Sequence, residues 1–145
     1  MIAGGNAVSQ ERNGDCGAQV VLAQPVVGRR VIGFGELGTH GARSNGIVLE
    51  TQPDADVHAP LAGMVVYAGE FRSYGKIVTI AVGCATHVMI SGLGSIVVSV
   101  GDRVSSGQTV GATSQGRGEP LPVLYLEVRR DGRPIDPGLL SPGRQ

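Results

Sequence analysis

At 145 residues and zero formal net charge, the chain is long enough for one domain with a buried core. The neutral balance argues against a nucleic-acid partner, and no apolar run approaches the roughly 20 residues that span a bilayer. With 24 Gly but 41% hydrophobic residues, the composition indicates a turn-rich β protein rather than a disordered one.

Residues 1–24 are rich in Gly, Asn and Gln, which predicts a tail or linker. No charged and then apolar leader is visible at the start, so an exported parent protein would carry its leader outside this chain. The two cysteines, Cys16 and Cys84, do not make a disulfide framework. One bridge in an oxidising compartment stays open as an alternative, and two free thiols are favoured.

From residue 25 onward, short β-like runs are separated by turn residues, and none keeps a helical apolar period over helix length. The predicted strands are Val26–Phe34, Gly46–Thr51, Asp56–Ala59, Gly63–Ala68, Lys76–Val82, Thr86–Ile90, Ile96–Val98, Gln108–Ala112 and Val123–Arg130. Asp131-Gly132 predicts a tight turn, and Pro134 and Pro137 are expected to end regular structure. We therefore predict an all-β domain over 25–140, a mostly antiparallel β-sandwich or β-roll with little helix, and a tail over 141–145.

Five motifs follow one another in a recognisable order. They are Gly33-Phe34-Gly35-Glu36, Arg43-Ser44-Asn45-Gly46-Ile47-Val48, Val57–Val66, Val100-Gly101-Asp102-Arg103-Val104 and Leu124-Tyr125-Leu126-Glu127-Val128-Arg129. Together they resemble the LytM or lysostaphin type of peptidoglycan endopeptidase, over roughly residues 25–140. The resemblance implies that family's β-rich fold.

The resemblance also implies where catalytic members carry zinc ligands and histidines, in His-x-Gly-x-Asp, Tyr-x-His-Leu and His-x-His. Laid onto this chain, the first motif falls on Ser44 and Val48, and the middle histidine on Gly92. Glu127 is matched to the residue after His-x-His, which places those histidines on Leu124 and Leu126. A zinc hydrolase needs three ligands and an open position for water. The mapping therefore predicts no bound metal, no cofactor and no catalytic activity.

The segments around Ser44, Tyr67–Gly75 and Leu124–Arg129 are more similar still to murein hydrolase activators of the EnvC type. The resemblance implies a periplasmic location in a Gram-negative bacterium and a zinc-dependent N-acetylmuramoyl-L-alanine amidase as the partner. It implies that the former active-site groove binds the amidase during cell separation. Peptidoglycan itself is the alternative ligand of that groove.

The residues expected to line the groove are Arg43, Ser44, Val48, Tyr74, Gly92, Leu124, Tyr125, Leu126 and Arg129. Several of them have a plainer interpretation. The leucines suit a core, Ser44 suits a turn beside Asn45-Gly46, and most surface arginines are solvated. Tyr74 could anchor a partner or only cover the end of the sheet.

Two further alternatives have little support in the sequence. The histidines His40, His58 and His87 form no His-x-His or His-x-x-x-His pair, so a rebuilt zinc site would need His40, His87 and a carboxylate. Lys76 is the single lysine, and its context does not match the modified lysine of a lipoyl or biotinyl carrier.

Overall fold

A computed structural model describes residues 23–38, 41–72, 75–115 and 120–137, in which every paired strand is antiparallel. The strands are β1 (Gly28–Ile32), β2 (Ile47–Thr51), β3 (Asp56–His58), β4 (Gly63–Glu70), β5 (Lys76–Gly83), β6 (Thr86–Ile96), β7 (Arg103–Val104), β8 (Thr109–Thr113), β9 (Val123–Arg130) and β10 (Arg133–Ile135). The main sheet has the order β1-β2-β9-β6-β5-β4-β7.

A smaller layer packs over one face of the main sheet. It contains β3 and β8, and it joins the main sheet through β6, which pairs with β5 and β9 and then with β8. Gly92 lies where β6 changes partners. Its φ of 97° suits glycine, and a Cβ there would lie 2.6 Å from the carbonyl oxygen of Val123. The close approach of β6 and β9 therefore requires glycine at this position.

The hydrophobic core fills the space between the two layers. Val57 of β3 and Val110 of β8 belong to the same cluster as residues of the main sheet. The largest fully buried side chains are Ile80, Ile90, Leu124, Leu126, Val26, Val57, Val65, Val78, Val88, Val110, Val128 and Thr113. Most are β-branched, which suits the pleated surfaces that meet there.

The predicted all-β, mostly antiparallel fold is confirmed, and the described residues contain no α-helix. The turn at Asp131-Gly132 is also confirmed, with φ of 54° and 79°. The expectation for Pro134 is wrong, because it lies in β10 opposite Arg129. Proline is tolerated there because a short outer strand leaves one edge without a ladder partner. The strand predicted at Ile96–Val98 is mostly wrong, because only Ile96 lies in a strand, as the last residue of β6.

Other sequence expectations fall partly outside the described residues. This applies to the tails over 1–24 and 141–145, to Tyr74 and His40, and to Cys16. Cys84, in the turn between β5 and β6, is disulfide-bonded, so the expectation of two free thiols is wrong. Within the described ranges, no helix is long and apolar enough to cross a membrane.

Candidate functional site

The two faces of β9 have different roles, because side chains alternate along a strand. Leu124, Leu126 and Val128 point into the core. Tyr125, Glu127 and Arg129 lie on the opposite side, and hydrogen bonds join them to one another. One face of β9 therefore contributes to the core, and the other face carries a polar site.

Strand pairing shows which other residues share the side of Tyr125. Val48 of β2 and Ser91 of β6 lie directly opposite Tyr125. Directly opposite residues project from the same face of a sheet. We call this side of the main sheet the groove face. Its residues include Val48, Glu50, Met64, Tyr67, Ile77, Thr79, Ala81, His87, Met89, Ser91, Arg103, Val123, Tyr125, Glu127 and Arg129.

The structure corrects the place given to the two leucines. Leu124 and Leu126 are 0% and 1% exposed, so neither reaches a partner on the groove face. The positions that share a face with Val48 are one residue away in each case, Val123 and Tyr125. A shift of one residue moves a side chain to the other face of a strand, so Val123 and Tyr125, and not the leucines, face the groove.

The centre of the groove face is a polar network around the buried Glu127. The Tyr125 hydroxyl donates to Glu127 Oε1 at 2.7 Å, and Arg129 Nε donates to Glu127 Oε2. Arg129 also donates to the carbonyl of Gly132 at 3.1 Å. Glu127 is buried, so its charge depends on these two partners. The arrangement agrees with a structural role for Glu127, and it places Arg129 in an internal ion pair.

Tyr125 is held in its neutral form. Burial, followed by the hydrogen bond to Glu127 and the negative charge of that carboxylate, raises the pKa of Tyr125 well above its usual value. A phenol in this state donates a hydrogen bond to Glu127 and is a poor metal ligand. The same network therefore fixes the ring and excludes phenolate chemistry at neutral pH.

The raised pKa of Tyr125 gives a testable pH dependence. The unfolded tyrosine ionises near pH ~10, so the stabilising hydrogen bond is fully present below that pH and is lost as the pH rises through the folded pKa. We expect Tyr125→Phe to be less stable than the parent by about 1 kcal/mol at pH 8. The difference should shrink above pH ~10. Urea unfolding across pH measures both, and Tyr67→Phe is the matched control. Parallel pH profiles would contradict the account.

The turn that precedes β2 brings Ser44 and Gly46 beside Tyr125. Ser44 Oγ donates to the Gly46 carbonyl at 2.7 Å and accepts from the Gly46 N–H at 3.3 Å. A Cβ on Gly46 would lie 3.0 Å from Tyr125 Cζ and 2.2 Å from the carbonyl oxygen of Leu126. Ser44 is thus a turn residue, and Gly46 allows β2 to approach the ring.

The remaining predicted residues are placed as follows. Arg43 is exposed and donates to the carbonyl of Gly35 at 2.9 Å, which braces the loop before β2. Gly92 lies against Val123 on β9. His87 is exposed and lies opposite Arg129, whereas His58 is on β3 in the smaller layer. The structure does not bring His58 and His87 together on one sheet face.

The residues at the expected ligand positions, and Tyr125 beside them, do not fit zinc. Val48 has no donor atom, the Ser44 hydroxyl is bonded to the backbone, and the Tyr125 phenol is bonded to Glu127. Among the described residues, no group of three or more His, Cys, Asp or Glu could hold a metal ion. A zinc site needs three such ligands at bonding distance, and we derive no metal-dependent step for this chain.

Sequence reasoning missed several residues of the groove face, notably Val123, Met89 and Tyr67. Val123 is 49% exposed, and Tyr67 is 38% exposed. Alternation along β9 was a usable signal for Val123, because Tyr125, Glu127 and Arg129 are spaced by two. Met89 and Tyr67 could not be found in this way, because their place depends on the pairing of β4, β5 and β6.

Comparison with known proteins agrees with this fold. The profile of Peptidase family M23 matches residues 42–137. The chain is 30% identical over 113 residues to Murein hydrolase activator EnvC of Escherichia coli, covering 78% of this chain and 27% of that protein. It is 33% identical to the Lipoprotein NlpD/LppB homolog of Pseudomonas aeruginosa, covering 88% of this chain and 45% of that protein. The chain thus spans less than half the length of both relatives.

Solved structures show the same fold. Helicobacter pylori Csd3 superposes with a TM-score of 0.75 at 24% identity, covering 88% of this chain and 34% of that one. Lysostaphin superposes with a TM-score of 0.70 at 22% identity, covering 84% of this chain and 54% of that one. Since the family profile extends over well more than half of the sequence, the chain belongs to peptidase family M23.

Proposed function

We propose that this chain is a non-catalytic activator of a periplasmic, zinc-dependent N-acetylmuramoyl-L-alanine amidase, acting in cell-wall remodelling and daughter-cell separation. The observation that carries the proposal is the groove face. At two positions that the resemblance assigns to zinc ligands, this chain has a turn serine and a valine, and Tyr125, which lies opposite that valine, is bonded to Glu127. Similarity to a relative named a murein hydrolase activator supports the same role.

The lack of suitable ligands favours binding over hydrolysis. A hydrolase of this family type would use a metal ion to activate water, and the side chains of Ser44, Val48 and Tyr125 do not supply a ligand set. The family fold is nevertheless kept, with a well-packed core beneath the groove face. A sheet face that keeps its shape but lacks metal ligands is suited to binding another molecule.

The proposed contact residues differ from those expected for a simple leucine floor. Val48, Tyr125 and Arg129 stay in the proposed site, and Val123 replaces the two buried leucines. Arg43 and Gly92 border the same region through the loop before β2 and the turn of β6. Tyr74 stays a proposed anchor outside the described residues.

Activation requires a difference in affinity between two states of the amidase. If the inhibited state is favoured by ~3 kcal/mol, the chain must bind the open state over a hundredfold more tightly to reverse that preference. A domain that binds both states equally would shift nothing. The proposal therefore concerns selective binding, in a Gram-negative periplasm, of an amidase whose site is reversibly blocked.

The direct test measures zinc content and muropeptide release for the purified chain alone and with an amidase from the same organism. We expect no bound zinc, no release by the chain alone, and faster release once amidase and chain are combined. Stoichiometric zinc with release by the chain alone would overturn the proposal. It would favour a rebuilt site that includes His87 or His40.

A peptidoglycan-binding module without an amidase partner is the second candidate. Two exposed aromatic side chains, Tyr67 on the groove face and Phe71 next to it, could contact sugar rings. Sedimentation with purified peptidoglycan sacculi, in the absence of amidase, distinguishes this candidate. Strong co-sedimentation without any effect on amidase activity would favour it over the activator.

A further inference from the structure

The turn between β5 and β6 holds Cys84 in a backbone conformation that most residues avoid. Cys84 and Ala85 have φ of 54° and 55°, in the left-handed region that glycine and asparagine adopt more readily. Another tight turn of the sheet, Asp131-Gly132, also has positive φ at both positions, but with residue types that suit it. The cysteine therefore carries a cost in backbone strain, and such strain is often found at functional positions.

Cys84 is disulfide-bonded, which gives this strained position a role. The sequence contains two cysteines, Cys16 and Cys84, so within one molecule the partner of Cys84 is Cys16. Cys16 lies outside the described residues. The nearest described segment, which begins at Ala23, therefore decides whether the chain can reach Cys84 from there.

This first described segment is anchored beside β3. The N–H of Ala23 donates to the carbonyl of Pro60 at 2.8 Å. The N–H of His58 donates to the carbonyl of Pro25 at 2.7 Å. Val26 is 1% exposed and belongs to the hydrophobic core. The chain therefore joins the domain next to Pro60.

Pro60 and Cys84 are close to the same pair of residues in the sheet. Met64 of β4 lies opposite Ala81 of β5, and the two strands are antiparallel. The residues that precede Met64 and those that follow Ala81 therefore lie at the same end of this strand pair, away from the β4–β5 hairpin turn. The seven residues from Cys16 to Ala23 can extend to about 24 Å. This reach is sufficient to bring Cys16 to the β5–β6 turn.

We infer that Cys16 and Cys84 form an intramolecular disulfide, introduced by a dithiol–disulfide oxidoreductase. In this reaction each thiol loses one proton and one electron, and the S–S bond forms between them. The disulfide of the oxidoreductase is reduced to two thiols in exchange, through a mixed disulfide. Because cytosolic thiols are kept reduced, the bond requires an oxidising compartment. The inference goes beyond the proposed function and stands without it.

The bonded turn also supports one end of the groove face. The carbonyl of Ala85 accepts a hydrogen bond from the N–H of Asp131 at 2.9 Å. The carbonyl of Gly132 in turn accepts one from Arg129 at 3.1 Å. The disulfide at Cys84 therefore constrains a turn that contacts the turn holding Arg129.

Tryptic digestion without reductant, followed by mass spectrometry, tests the pairing on the full chain exported to an oxidising compartment. Cleavage after lysine and arginine leaves Cys16 in residues 13–29 and Cys84 in residues 77–103. We expect these two peptides as one linked species that dithiothreitol separates. The intact protein should migrate as a monomer in non-reducing electrophoresis. Two free thiols, or a link found only in a covalent dimer, would overturn the inference.

Thermal unfolding tests whether the bond constrains the fold. The disulfide closes a loop of about 70 residues, so we expect Cys16→Ser to lower the melting temperature by roughly 10 °C. Cys84→Ser and the double variant should melt near the same temperature, because each removes the same bond. Dithiothreitol should lower the melting temperature of the parent to this level and leave the three variants unchanged. Additive losses in the double variant, or a parent insensitive to reductant, would contradict the pairing.

Discussion

Replacing Leu126 with glutamate will unfold the chain rather than only block its partner site. Leu126 is 1% exposed and lies between Ile47 and Ile90 on the neighbouring strands. Truncating a buried leucine alone costs about 2–5 kcal/mol. An unpaired carboxylate in the same place adds a further penalty of several kcal/mol. The total is comparable with the whole stability of a typical domain, about 5–15 kcal/mol.

Val123→Glu is the matched control for this substitution. Val123 lies on the same strand but on the groove face and is 49% exposed, so the charge stays in water. We expect Val123→Glu to keep a cooperative melting transition and the circular dichroism of the parent. Leu126→Glu should lose both. If Leu126→Glu gave a folded protein that had lost only amidase binding, Leu126 would line the groove after all. That result would contradict the strand orientation described above.

Much of the fold could be predicted because strands and turns have local signals. The alternating apolar residues of β9 and the Asp131-Gly132 turn are visible in the sequence and lie where expected. The path of β6 was harder to predict. Gly92 has a positive φ, and after it the chain turns Leu93 into the core and pairs with β8. Such a change of partner depends on tertiary contacts, so it leaves no local pattern.

In the candidate site, too, tertiary contacts decide the outcome, and the predicted groove residues on β9 were displaced by one position. The motif around Glu127 identified the correct strand, but its register decides which side chains face the groove. Only the pairing of Val48 with Tyr125 fixes that choice, and it joins residues distant in sequence. Burial of Glu127 was also beyond local reasoning, because a carboxylate is expected at the surface unless partners such as Arg129 pair with it.

The corrected register predicts that a zinc site can be rebuilt by three substitutions, Ser44→His, Val48→Asp and Tyr125→His. Val48 and Tyr125 are directly opposite on adjacent strands, where Cβ atoms are typically ~5 Å apart. The Ser44 hydroxyl is hydrogen-bonded to the backbone of Gly46. Gly46 in turn lies against the Tyr125 ring, since a Cβ on Gly46 would be 3.0 Å from Tyr125 Cζ. Three N/O ligands would then face one point, and Glu127 would be placed to accept the second N–H of the new histidine at 125.

We expect this triple variant to retain about one zinc ion per chain after dialysis, measured by elemental analysis, and to melt at a higher temperature with zinc than without it. The variant with only Ser44→His and Val48→Asp should retain none, because two ligands hold zinc weakly. A second control adds Val123→His instead, on the same face but one residue pair farther along β9. Its histidine lies opposite Glu50 rather than opposite position 48, so it should not complete the site. Equal zinc retention by the Val123→His protein would show that Tyr125 does not occupy the position of the lost ligand.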